Sequence, residues 1–110
     1  MPNRPPRSGG RADSAALRSS YRWQRHRKRQ MAHYAGMCCL CLDRAAVQVH
    51  HIERVSDRPD LLTDPANTPP VCLQCHERIT ALEKVDAVAA RAEFIGWRER
   101  FDEWLTKRNH

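Results

Sequence analysis

A chain of 110 residues is one small domain, and its 29% charged and 41% hydrophobic residues leave a core near the limit of what burial alone can hold. There is no run of about 18 apolar residues, which excludes a membrane span, and no apolar stretch follows the Arg-rich start as it would in a secretory signal. The net charge of +6 is concentrated rather than spread. Residues 1–36 carry nine Lys/Arg against Asp13 alone, residues 37–80 four basic against six acidic, and residues 81–110 six of each. A positive arm on a near-neutral body is the pattern of a polyanion binder, although a solvated basic tail has the same composition.

In chain order, residues 1–14 hold three prolines and Gly9-Gly10 and read as a disordered basic tail. From about Ala15 to Tyr34, Leu17, Tyr21, Met31 and Tyr34 form a loose apolar stripe that predicts a helix. Its basic groups fall on several faces, so one side can pack while Arg22, Arg25, Arg27, Lys28 and Arg29 meet phosphate. Trp23 either packs on the core, the commoner fate, or lies along a sugar-phosphate backbone. Ala45 to Ile52 gives a short strand signal, with Val47, Val49 and Ile52 alternating with polar residues. Glu53 to Pro70 is Asp- and Pro-rich without periodicity, a long loop of the kind that tends to be functional. A helix is expected from near Cys72 through Leu82. A last helix, Val85 to Lys107, would align Ala87, Ala90, Phe94, Trp97, Phe101 and Trp104 on one face. That aromatic face either folds back on the domain or pairs with a second copy as a homodimer.

Five cysteines in a chain expected to reside in a reducing cytoplasm read as metal ligands before disulfides. Cys38-x-x-Cys41 and Cys72-x-x-Cys75 are two C-x-x-C pairs, the pattern of a tetrahedral structural zinc site. A two-residue spacer lets both thiolates of one turn reach one ion at about 2.3 Å. Zinc binding of this kind is folding free energy, on the order of 10 kcal/mol, and would supply the staple that a small core lacks. Cys39, too close to Cys41, reads as a small buried hydrophobe, with a swap for Cys38 at the metal as the alternative.

Zinc does not account for His50 and His51 at the strand's end, Asn67 in the loop and His76 directly after the last cysteine. Together with Cys38-x-x-Cys41, Val49-His50-His51-Ile52 and the run Asn67 to His76 followed by Thr80, they resemble an HNH endonuclease of the small phage type. The resemblance spans about residues 20–82. It implies an α+β, zinc-stapled domain in which a ββα-metal (His-Me finger) module is flanked by a basic N-terminal helix and a C-terminal helix. The expected organisation is a tail over 1–14, a nuclease domain with zinc knuckles over 15–82 and an amphipathic C-terminal helix over 83–110.

Carried over residue by residue, the resemblance implies that His50 and His76 hold one catalytic divalent ion, that His51 is the general base, and that Asn67 holds the loop so that the His51 ring is correctly turned. These residue types suit phosphodiester hydrolysis, since an imidazole titrates near neutrality and a cation offsets phosphoryl charge. Adjacent residues on an extended strand point to opposite faces, so His50 and His51 can take different tasks. Two positions depart from the family pattern. His50 stands where Asp is usual, which leaves the site more cationic and predicts that Mn, Ni or Zn competes well with Mg. Ile79 stands where Lys usually precedes the Thr, which removes one phosphate contact.

The expected function is therefore metal-dependent cleavage of DNA, by nicking or by a double-strand cut. The basic helix, including Arg22, Trp23, Arg25, Arg27, Lys28 and Arg29, would grip phosphates without reading bases. The family also implies a phage-encoded protein acting in the host cytoplasm beside terminase and other packaging proteins. The alternatives are a non-catalytic zinc module that binds nucleic acid and an adaptor protein that docks a partner through the aromatic helix.

Overall fold

A computed structural model describes residues 14–108. The expected tail over 1–14 lies outside them except for Ser14. The elements are α1 (Ser14–Arg18), α2 (Tyr21–His33), β1 (Gln48–Val49), β2 (Pro70–Val71), α3 (Leu73–Val85), α4 (Ala87–Ala92) and α5 (Trp97–Arg108), with 3-10 turns at Pro59–Leu61 and Pro65–Asn67. This is the expected α+β class.

The first predicted helix is two helices. The Ser20 hydroxyl accepts from the Trp23 N–H and so starts a new helix at Tyr21, as an N-cap serine does. α2 ends in a left-handed turn in which Ala35 (φ 55°) and Gly36 (φ 64°) reverse the chain and the Gly36 N–H returns to the Met31 carbonyl at 2.8 Å. That reversal delivers Met37 to a bridge with Ala45, which closes the first cysteine knuckle.

β1 and β2 pair antiparallel, Gln48 opposite Val71 and Val49 opposite Pro70. The strand signal over 45–52 thus yields two residues of ladder. Its partner explains the shortening, because Pro69 and Pro70 have no N–H to donate. Single bonds from Val47 N to Val71 O, His50 N to Pro69 O and Ile52 N to Asn67 O carry the pairing on as an irregular hairpin.

The long loop that closes this hairpin is anchored by a buried polar group. The Thr68 hydroxyl donates to the Asp64 carbonyl and accepts from His26 Nε2 at 2.8 Å, while the Gln30 amide reaches the Thr68 carbonyl at 2.8 Å. His26 and Gln30 lie one turn apart on α2, so the helix holds the loop along one face.

The last predicted helix also divides. Asp86 caps α4 through the Ala89 N–H, and Gly96, at φ 75°, turns the chain between α4 and α5. Phe94, Trp97 and Phe101 then join Tyr34, Cys38, Cys39, Val71, Cys72, Cys75, Ile79 and Ala90 in the main core. Phe94, Trp97 and Phe101 thus fold back on the domain, the first of the two fates open to the aromatic face. The Trp97 indole N–H also ties the loop down at the Ala66 carbonyl, 3.0 Å away. A second, smaller cluster of Trp23, Val49, Val55 and Leu62 forms separately.

Candidate functional site

Two groups of ligating side chains stand in this frame. The first is the cysteine site. The Sγ atoms of Cys38, Cys41, Cys72 and Cys75 all lie within 4.8 Å of one another, with Cys41 and Cys72 at 4.0 Å. Four sulfurs around one zinc at about 2.3 Å would sit roughly 3.8 Å apart, so the set fits a tetrahedral ion after small adjustments. The backbone already supports thiolates, with the Cys41 N–H on Cys38 Sγ and the Cys75 N–H on Cys72 Sγ. Burial opposes ionisation of Cys72, but the Cys75 N–H and the Arg44 guanidinium outweigh it and lower that thiol. Cys39 is not in the set. Burial pushes its thiol up to about 12, as befits an inert core residue.

The second group lines a cleft of about 590 Å³ beside the hairpin, walled by His50, His51, His76, Thr80 and Glu83, with Arg18 and Arg54 also lining it. β1 ends one residue before His50, and the pleat sends the two histidines apart. His50 stacks on Phe94 (centroids 5.3 Å, planes 19°), meets the His76 ring edge-on at 5.6 Å, and its Nε2 lies 3.1 Å from Glu83 Oε2. Burial, followed by the neighbouring His76 and His51, lowers its pKa to about 4. His50 is therefore neutral near pH 7, the state in which an imidazole binds metal, and its contact with Glu83 is a hydrogen bond rather than an ion pair. Burial raises the Glu83 carboxyl above its usual range, although Arg54 and Arg91 pull the other way.

His51 lines the same cleft but packs against the smaller cluster. Its ring packs on Trp23 with centroids 4.6 Å apart, and its Nε2 lies 3.1 Å from the Leu62 carbonyl. A carbonyl only accepts, so Nε2 carries the proton and Nδ1 keeps its lone pair. Burial lowers the His51 pKa, while the Leu62 carbonyl raises it and Arg18 lowers it further.

Asn67 does not touch His51. Its Oδ1 accepts the Glu53 N–H at 2.7 Å, and its Nδ2 donates to the carbonyls of Glu53 and Leu61. It clasps both arms of the loop one residue from the carbonyl that His51 meets.

The basic helix departs from expectation at one residue. Trp23 is 5% exposed and lies against His51 and His26, so it has no free face for a strand and is withdrawn from the DNA-contacting set. Arg22, Arg25, Lys28 and Arg29 are exposed. Arg22 bonds Thr63, Arg25 lies over the Tyr21 ring, and the half-buried Arg27 reaches the Val47 carbonyl. Ile79, 1% exposed, sits in the main core, so its position does not face the cleft and costs no phosphate contact. Glu83, Arg18 and Arg54 were not singled out by sequence reasoning. Glu83 stands two turns beyond His76 on α3, and that helical spacing was the available signal.

A short hairpin followed by a helix thus sets a closed four-cysteine cluster beside an open histidine-lined cleft. Residues 37–82 match the family model described as HNH endonuclease, the family that the motifs resemble. No curated protein and no solved structure matches the chain. An HNH domain acts on nucleic acid and uses divalent metal ions. No helix among the described residues is long and apolar enough to cross a membrane.

Proposed function

We propose that the chain is a metal-dependent endonuclease that hydrolyses DNA phosphodiester bonds, by nicking or by a double-strand cut, in the histidine cleft. The observation that carries this reading is the hydrogen bond between His51 Nε2 and the Leu62 carbonyl. It selects the tautomer whose Nδ1 can accept a proton, in a ring packed on Trp23 at the edge of the cleft that His50 and His76 also line. His51 takes the proton from the attacking water as its oxygen approaches phosphorus. Asn67 acts through the loop, holding the Leu61–Leu62 carbonyls where they fix the ring. His50 and His76 would hold a divalent ion, which when bound offsets charge on the phosphoryl oxygens and the leaving 3′ oxygen. Arg18 and Arg54 line the same cleft and meet the flanking phosphates. Arg22, Arg25, Lys28 and Arg29 extend the grip without reading bases. The four cysteines hold structural zinc, which leaves the chemistry to the other site.

The non-catalytic zinc module accounts for the cysteines and the basic helix but gives no task to three histidines lining one cleft. The adaptor reading loses its docking face, because Phe94, Trp97 and Phe101 are buried. Zinc-loaded protein incubated with supercoiled plasmid in parallel with EDTA, Mg, Mn or Ni tests the proposal. Open-circular or linear DNA that appears only with added metal is the expected result. Salt-sensitive DNA binding with no cleavage under any metal would instead favour the non-catalytic module.

A further inference from the structure

The divalent-ion site implied so far has two neutral donors, His50 and His76, and no protein charge. Glu83 changes that composition. It lies on α3, the helix that carries His76, seven residues further along and so on the same face. Its Oε2 is 3.1 Å from His50 Nε2. Two donors bound next to each other on an octahedral ion at about 2.1 Å are separated by roughly 3.0 Å. The His50–Glu83 pair thus has the spacing of one edge of a coordination polyhedron, and an ion would enter there by displacing the proton that now joins the two atoms. Both side chains are held from outside the cleft, His50 by the face of Phe94 and Glu83 by a helix that His76 shares. Arg54 and Arg91 act on Glu83 electrostatically, yet its hydrogen bond goes to His50.

We infer that Glu83 is the third protein ligand of the divalent ion, so that the cleft is a two-histidine, one-carboxylate site. This rests on the endonuclease reading above and deepens it. A carboxylate supplied from α3 replaces the charge that the usual Asp, whose place His50 takes, would have brought from the strand. It also adds a hard oxygen donor to two imidazoles, a set that suits Mn as well as Ni and leaves the remaining positions for water and phosphate oxygens.

The test is metal binding rather than activity. Zinc-loaded protein is titrated with Mn and, separately, with Ni, by calorimetry, for the wild type, Glu83→Gln and His76→Ala, with zinc content and melting temperature checked for each. Glu83→Gln keeps the size and the hydrogen bonding of the side chain, so folding is spared. The expected result is at least a tenfold loss of Mn affinity in Glu83→Gln, with a clearly smaller loss for Ni, because the missing donor is the hard one. Equal losses for both metals would overturn ligation and leave Glu83 as a group that merely orients His50. Wild-type Mn affinity in Glu83→Gln with binding lost in His76→Ala would overturn the inference while the endonuclease reading stands. No Mn or Ni binding by the folded wild type would remove the ion site itself, and with it both readings.

Discussion

The cysteine cluster and the histidine cleft both draw on α3 and its cap, and they differ as a closed ligand set differs from an open one. The four sulfurs are the group among the described residues whose ligand atoms all gather within 4.8 Å, and three of the cysteines are buried. A zinc ion there has no coordination position left for anything but protein. His50, His76 and Glu83 gather more loosely, around a cleft large enough for a phosphate and water. Structural sites are closed and catalytic sites keep positions open. Here α3 serves both, with Cys72 and Cys75 at its start and His76 and Glu83 facing the cleft. A metal that folds the knuckle would therefore also place the helix that carries His76 and Glu83.

This contrast can be broken most forcefully at the cysteines. Cys72→Ser removes a zinc ligand and alters the cap of α3 at once. Zinc sites of this kind contribute on the order of 10 kcal/mol to folding, so the variant should lose most of its cooperative thermal transition and its zinc. A fully folded Cys72→Ser protein would place the staple elsewhere. Asn67→Ala strikes the loop instead. It strands a buried N–H and two carbonyls, which costs about 1–3 kcal/mol in the melting transition, and it should slow cleavage while zinc stays at one per chain. Unchanged cleavage would detach Asn67 from the positioning of His51.

The pH dependence sharpens the same contrast. Burial lowers the His51 pKa from its ordinary value, so the base form predominates at neutral pH. Cleavage should be flat above neutral pH and fall as acid protonates Nδ1. A rate that keeps climbing between pH 7 and 9 would assign the proton transfer to another group. The smallest effect is expected at the cleft mouth. Arg54→Ala should weaken DNA binding on every sequence alike and reduce the salt slope by about 1, with folding untouched.

Much of this arrangement is legible in the chain, for reasons that differ by element. The two C-x-x-C pairs and the adjacent histidines are local spacings, and local spacing survives folding. The extent of β1 is not local, because it depends on Pro69 and Pro70 across the ladder. The single long helix expected over 85–107 respects the aromatic period but misses that Gly96 takes φ 75° and that Asp86 caps a separate short helix. Trp23 reads from its neighbours as part of a basic surface, yet its spacing to His26 and Gln30 puts it on the buried face of α2. Glu83 is one carboxylate among several near the end of α3, and only the return of the hairpin shows that it meets His50. The base is named by its motif, but the carbonyl that sets its tautomer belongs to Leu62, and a backbone group leaves no mark in a sequence.

The central claim is that His51 does chemistry rather than support the fold. Relaxation of supercoiled plasmid by saturating enzyme, compared between the wild type and His51→Ala at equal zinc content and equal DNA occupancy, tests it most directly. The account predicts a loss of about 10²–10⁴-fold with zinc and DNA affinity kept. Cleavage by His51→Ala at close to the wild-type rate would contradict it.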